Sequence, residues 1–463
     1  MAKLKLSFFG GAQEVTGSCI LLESFDSPPT KVLIDCGLFQ GSRFMEDRNR
    51  DPFPFDPRTI DAVLITHAHI DHIGRIPKLA KDGFKGKIFS TPATREIGEL
   101  MLLDSLKVMR KEVHEKNEKL IYSEDDVAAA MEKWHGVEYH EEFNIGDFRI
   151  NFRDAGHILG SSIIEIFYPS TGSWQATKIV FTGDLGNSPT PLLCSTEKIK
   201  DADYLVIETT YGDREHEGKK ERETELERII EETIKAGGVL MIPAFSLERT
   251  QEILFELNNL VENKRVPQVP VFVDSPLAIG AINIYKKYDR YYNKEAKYIM
   301  DSGDDLFKFP GLKFTETTEE SKSINDVLPP KVIIAGSGMS TGGRIVHHEH
   351  RYLSDPKSTL LLVSYQVPGS LGRQLEDGVK EVSILGETVP VHAKIVALRG
   401  YSAHPDKEGL FQFVEENYET LKKVFAIQSE PKSTLFFTQI VRDRLGIDAV
   451  APKYGDSFEL EVR

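Results

Sequence analysis

The chain has 463 residues, more than one ordinary core accommodates, so two domains are expected. Hydrophobic residues make up 40% and charged residues 28%, with no low-complexity tract, which excludes a disordered or fibrous protein. The net charge of −15 weighs against a broad basic surface for nucleic acid, although a local groove or metal ions still attract phosphate to an acidic protein.

From Met1 to Gly10 apolar and polar residues alternate, which predicts a first strand; the apolar stretch is too short for a signal peptide. Val32-Leu33-Ile34 runs into Asp35-Cys36-Gly37, and Ala62-Val63-Leu64-Ile65-Thr66 into His67. Brief apolar, β-branched runs stopped by polar residues read as strands with functional loops at their C-terminal ends. Residues 94–134 read as helical, with Ser123 an N-cap ahead of the acidic turn Glu124-Asp125-Asp126. Two more strands end at His157 and at Asp184. The character then changes: a charged helix over 221–236, a strand over 239–243, a helix from Ser246 and a strand over 271–273. The runs 331–335 and 359–364 each lead into a Gly-rich loop. Helix alternating with apolar strand implies an α/β arrangement with a parallel sheet flanked by helices. From Val391 short strands and one helix return. One domain interrupted by another is expected, divided as 1–210, 211–385 and 386–463, with no internal repeat.

No apolar run approaches the ~18 to 20 residues that cross a bilayer, so no membrane partner is expected. Cys19, Cys36 and Cys194 are odd in number and lack CxxC spacing. They suit a reducing cytoplasm rather than a disulfide framework.

Chemistry concentrates in Thr66-His67-Ala68-His69-Ile70-Asp71-His72-Ile73-Gly74. His67 and His69 stand at strand period two, and Asp71 and His72 follow at the start of a helix, so four donors can surround one point. Imidazole nitrogen and carboxylate oxygen are donors that Zn²⁺ prefers. His157, in Ala155-Gly156-His157, and Asp184, in Gly183-Asp184-Leu185-Gly186, each follow a strand beside glycine, so their backbone can approach an ion closely.

The HAHIDH run, with Asp35 before it and His157 and Asp184 after it, resembles the metallo-β-lactamase superfamily. Further motifs in order resemble its β-CASP ribonuclease branch: Glu208 in Leu205-Val206-Ile207-Glu208-Thr209-Thr210-Tyr211-Gly212-Asp213-Arg214, Pro243-Ala244-Phe245-Ser246, Val273-Asp274-Ser275-Pro276, Ser337-Gly338-Met339-Ser340-Thr341-Gly342-Gly343-Arg344, Tyr365 to Arg373, and Ser402-Ala403-His404-Pro405. The resemblance implies an αββα sandwich interrupted by a β-CASP domain, with two zinc ions at the sandwich edge. It implies His67, His69 and His157 on one zinc, Asp71 and His72 on the other, Asp184 bridging them, and Asp35 supporting from behind. It further implies hydrolysis of single-stranded RNA, endonucleolytic, to 5′-phosphate and 3′-hydroxyl ends. Asp71, Asp184, Glu208 and His404 form the implied catalytic set, with His404, oriented by Glu208, protonating the leaving oxygen. A homodimer is common among such relatives.

The loop holding Ser337, Gly338, Met339, Thr341, Gly342, Gly343 and Arg344 suits phosphate or RNA, since glycines expose backbone N–H groups and arginine offers a fork of donors. His347 and His348 are expected in structural or backbone-contacting roles. In one place the chain departs from the family. Where the branch carries a histidine after its last long helix, this sequence has Gln428, and no histidine follows His404. A neutral amide is a poorer zinc ligand than imidazole, so the second site is expected to be weak. Two other readings stay open here: a nuclease-like scaffold that binds RNA without cutting it, and a small-molecule thioester hydrolase.

Overall fold

Adjacent residues along the strands of the outer unit enter opposite cores. Ile164, Phe181, Val206 and Phe425 fill one, and their neighbours Ile163, Val180, Leu205 and Val424 fill another. That period of two is what a sheet buried on both faces requires. The computed structural model describes residues 3–116, 119–169, 176–216 and 222–463. Its chain divides into two compact units, one holding 1–190, 194–215 and 403–463, the other 191–193 and 216–402.

The first unit stacks two seven-stranded sheets. One runs Ser457–Glu461, Lys3–Phe8, Ile20–Ser24, Lys31–Ile34, Ala62–Leu64, Lys87–Ser90, Trp134–Gly136. The other runs Asp448–Val450, Lys423–Ile427, Tyr204–Glu208, Thr177–Phe181, Ser162–Tyr168, Phe148–Asp154, Phe143–Ile145. Leu6, Ile20, Val32 and Leu64 of the first sheet meet Phe152, Phe181 and Phe425 of the second. Each of these buried phenylalanines contributes about 1.5–3 kcal/mol. Helices Lys407–Glu415 and Pro431–Leu445 bury Leu410, Val414, Phe437 and Val441 against the outer face of the second sheet. Pro92–Lys116 lies against Trp134–Gly136, and Ile76–Lys81 packs on Glu124–Glu132. The layers are therefore helix, sheet, sheet, helix.

Strand direction places the chemistry. Lys31–Ile34 pairs in parallel with Ala62–Leu64, and Thr177–Phe181, Tyr204–Glu208 and Lys423–Ile427 pair in parallel with one another. Asp35, His67, Asp184, Glu208 and Gln428 all lie at or just beyond the C-terminal ends of these strands. Parallel sheets gather such ends on one edge, where open α/β folds hold their ligands.

The second unit holds a six-stranded, wholly parallel sheet in the order Leu312–Phe314, Val271–Asp274, Lys331–Ala335, Val239–Pro243, Thr359–Leu362, Lys394–Ala397. The runs Val239–Pro243 and Lys331–Ala335 are buried throughout, as strands covered by helices on both faces must be.

Several sequence expectations shift. The helical stretch 94–134 is two helices, Pro92–Lys116 and Glu124–Glu132, and Trp134 begins a strand. Glu221 lies outside the described residues, and the helix expected over 221–236 is described as Arg222–Ala236. Two helices, not one, follow Val391. The return expected at 386 comes later: Lys394–Ala397 is the edge strand of the inserted sheet, and the outer unit resumes at Ala403. The three cysteines are unbridged. Among the described residues no helix is long and apolar enough to cross a membrane.

Candidate metal centre and catalytic pair

Ala62–Leu64 hands the chain to Thr66 and His67, and His69 then caps the short helix Ile70–Ile73. The loop after Phe148–Asp154 brings in His157, and the loop after Thr177–Phe181 brings in Asp184. These last two loops touch backbone to backbone. A Cβ on Gly186 would stand 1.9 Å from the carbonyl oxygen of Gly156, so glycine serves loop packing here rather than direct approach to an ion.

Four ligating atoms converge. His67 Nε2 is 3.0 Å from His69 Nδ1, which is 3.4 Å from His157 Nε2. Asp184 Oδ2 lies 3.4 Å from His67 Nε2 and 3.6 Å from His157 Nε2. A tetrahedral zinc with bonds of 2.0–2.1 Å needs donors about 3.3 Å apart, so this donor set fits such an ion. Burial holds the imidazoles of His67, His69 and His157 well below the usual histidine range, leaving neutral nitrogens with lone pairs to give. Burial by itself raises the Asp184 carboxyl, but His72 and His67 beside it hold it well below the carboxylate range.

Asp71 and His72 border the other side of Asp184. His72 Nε2 is 3.7 Å from Asp71 Oδ2 and 3.5 Å from Asp184 Oδ1. His72 Nδ1 is fixed by Asp35 Oδ2 at 2.7 Å. Asp35 adopts φ +57°, a left-handed backbone rare outside glycine, and accepts from Thr66 N at 2.9 Å and Ser18 Oγ at 3.3 Å. A carboxylate with only donors around it keeps the His72 proton on Nδ1 and turns Nε2 towards the centre. Thr66 also bonds Asp35 Oδ2 at 2.9 Å and lies 3.1 Å from His67 Nδ1. Thr66 and Ser18 were not among the site residues expected from the sequence. Their only sequence signal is position: Thr66 directly precedes the histidine run, and Ser18 follows a Gly-rich turn. Gln428 lies beside His72, with its amide nitrogen 2.9 Å from His72 Nε2.

Glu208, at the end of its strand, is wholly buried and accepts from Leu185 N at 2.8 Å. It also meets His404 Nδ1 at 2.9 Å. Asp184, Glu208 and His404 offer atoms within 4.8 Å of one another, so the pair abuts the metal cluster. Burial lowers the pKa of His404, but the charge and hydrogen bond of Glu208, with Asp184 and Asp71 beyond, raise it to about 9.

Residues 30–237 match the family described as "Beta-lactamase superfamily domain", 250–375 match "Beta-Casp domain", and 388–452 match "Zn-dependent metallo-hydrolase RNA specificity domain". The chain is 39% identical to "Ribonuclease TTHA0252" of Thermus thermophilus over 88% of its own length and 90% of that protein's. It belongs to the β-CASP ribonuclease family of the metallo-β-lactamase superfamily. The β-CASP chain is also 32% identical to the "RNase J-like protein" of Methanocaldococcus jannaschii, covering 97% of its own length and 98% of that protein's. It is 31% identical to "Transcription termination factor FttA" of Methanosarcina mazei, covering 97% and 70%. A crystal structure of a protein of unknown function from Enterococcus faecalis V583 shares the fold, with TM-score 0.56 and 13% identity over 99% of this chain and 100% of that one. This β-CASP protein is a metal-dependent hydrolase, and its His67, His69, His157 and Asp184 cluster suits a divalent ion.

The loop 337–344 lies in the inserted unit, after Lys331–Ala335. Gln366 Nε2 donates to Gly338 O at 3.0 Å, Gly372 N to Met339 O at 3.2 Å, and Ser337 Oγ accepts from Thr341 N at 3.1 Å. Gly342 accepts from Ser337 N at 3.2 Å, and Gly343, at φ +71°, closes the turn. Arg344 departs from expectation. Its Nη1 donates to Asp274 Oδ1 at 2.7 Å and Thr315 O at 2.8 Å, and its Nη2 to Glu316 O at 2.8 Å. The fork is committed to the protein, so Arg344 builds the loop rather than offering itself whole to phosphate. His348 bonds the same carboxylate, Asp274 Oδ2, at 2.7 Å through its side chain, and the His347 N–H donates to Arg344 O at 3.1 Å.

Proposed function

We propose that this protein hydrolyses single-stranded RNA endonucleolytically, leaving 5′-phosphate and 3′-hydroxyl ends, with zinc at the His67, His69, His157 and Asp184 cluster. The observation that carries this reading is the Glu208–His404 pair set against that cluster. When bound there, a divalent ion supplies Lewis-acid chemistry, acidifying a water and neutralising charge on the phosphate.

The chain's own residues supply the rest. Burial keeps the three imidazoles neutral, and His72 and His67 beside it keep the shared carboxylate of Asp184 ionised, which is the state a metal requires. Asp35 and Thr66 orient the rings from behind. His404 gives Nδ1 to Glu208, so Nε2 carries the transferable proton. Breaking the bond between phosphorus and the 3′-oxygen leaves an alkoxide, and the imidazolium of His404 delivers its proton there. The ribonuclease named among the relatives and the match to an RNA specificity domain support RNA as substrate, and a single strand needs no duplex opened. A reducing cytoplasm suits the free thiols.

Gln428 favours a second reading, a nuclease-like scaffold, because it replaces a ligand. The retained Glu208–His404 pair weighs against it, since binding without cleavage has no use for a proton donor. The test is cleavage of an end-labelled single-stranded RNA by the wild type and by His404→Ala, with product ends mapped. Cutting by the wild type alone, with 5′-phosphate ends, supports the enzyme. RNA binding without cutting by either protein supports the scaffold.

A further inference from the structure

The two sides of Asp184 differ in donor chemistry. One side gathers three imidazole nitrogens. The other gathers the carboxylates of Asp71 and Asp184, a single imidazole nitrogen from His72, and the amide of Gln428. Because His72 Nδ1 is committed to Asp35, Nε2 is its one ligating atom. The Gln428 amide sits 2.9 Å from that atom. Two buried oxygens at this place, Asp184 Oδ1 and Gln428 Oε1, make no hydrogen bond.

Gln428 is held there by its backbone. It adopts φ +60°, its N–H donates to Gly11 O at 2.6 Å, and its carbonyl accepts from Thr210 Oγ1 at 3.2 Å. Its amide lies over Gly11, where an added Cβ would stand 2.4 Å from Oε1, and its Nε2 reaches Val15 O at 3.3 Å. Gly11 itself has φ +64°, so glycine there serves both the turn and the space the amide occupies.

We infer that the two metal positions take different ions: zinc binds tightly at the histidine-rich side, and the Gln428 side is a weaker, oxygen-rich site for a hard cation such as Mn²⁺. This rests on the metal-nuclease reading above. With one orientation of the amide, its N–H donates to His72 Nε2 and closes the position. Turned by half a rotation, the same amide faces its oxygen to an arriving cation. A cation entering must break that hydrogen bond and the one to Val15 O, and receives a neutral oxygen in place of an imidazole. Three oxygens with one nitrogen suit Mn²⁺ or Mg²⁺, whereas imidazole-rich sets suit zinc.

The experiment measures metal content of the purified full chain after dialysis against metal-free buffer, then titrates Mn²⁺ while following the spin-resonance signal of the free ion. About one zinc per chain is expected to remain, and about one Mn²⁺ to bind at least 100-fold more weakly than zinc. Gln428→His is expected to retain about two zincs and to lose Mn²⁺ uptake. Asp71→Asn, which needs no change at position 428, is expected to keep its zinc and lose Mn²⁺ uptake. Wild-type protein that retains two zincs through dialysis, or that binds no Mn²⁺ beside its zinc, overturns the inference while leaving the nuclease reading standing. Protein that retains no zinc and binds no metal overturns both.

Discussion

The Nδ1 of His404 lies 2.9 Å from Oε1 of Glu208, a carboxylate wholly enclosed by protein. A buried acceptor of that kind fixes the ring and keeps its far nitrogen protonated at neutral pH. His404→Ala is therefore expected to lower kcat by roughly 10²–10⁴-fold with little change in KM. Glu208→Gln removes the group that raises the imidazole to about 9, so the alkaline limb of the rate profile is expected near pH 9 in the wild type and at lower pH in the variant. Initial rates on labelled RNA between pH 6 and pH 10 check both, and an unmoved limb in Glu208→Gln would refute the pairing.

Removing metal is expected to cost stability as well as activity, because the cluster brings together loops from distant strands. An ion present at 100 times its Kd stabilises the fold by about 2.7 kcal/mol. Thermal melting with and without a zinc chelator measures this. His157→Ala is expected to melt like the chelated wild type and to be insensitive to chelator.

Asp35 touches no metal position directly, yet it orients His72 and anchors Thr66. Asp35→Ala is expected to weaken metal binding roughly 10–100-fold while the protein stays folded. Competition with a chromogenic chelator reads the affinity directly. Unchanged affinity would leave Asp35 with no part in ordering the centre.

In the inserted unit, burial by itself raises Asp274, but hydrogen bonds from His348, Ser321, Thr315 and Arg344 hold it down at about 2. A folded-state pKa below the unfolded one contributes stability that is fully present above the unfolded value and is lost as pH falls through the folded one. The shift corresponds to about 2 kcal/mol. Asp274→Asn is expected to lower stability at pH 7, and the gap to the wild type to narrow towards pH 3. Urea unfolding of both proteins at the two pH values tests it; equal gaps would count against the network.

The histidine run was legible because its donors are close in sequence, and His157 and Asp184 because strand ends beside glycine stand out. Glu208 and His404 were found through resemblance, since residues 196 positions apart carry no local sign that they meet. The roles of Thr66 and Ser18 were not legible: a hydroxyl's partner is decided by packing, and any buried turn uses the same residue types. The partners of Arg344 were hidden for a related reason. Its sequence neighbours are glycines, but the carboxylate that takes its guanidinium lies 70 positions earlier. Lys394–Ala397 misled the domain division because four apolar-patterned residues do not say which sheet they join.

The outer unit pauses at Glu215 and resumes at Ala403, so His404 is the second residue made after the whole insert. Until that insert folds, joining His404 to Glu208 means closing a long slack loop, with an entropic cost that compact folding removes. A chain cut short within the insert has His67, His69, His157 and Asp184 but not His404. On the role proposed for His404, such a chain is expected to bind metal without cutting RNA, so competence for cleavage would come only after the insert is made.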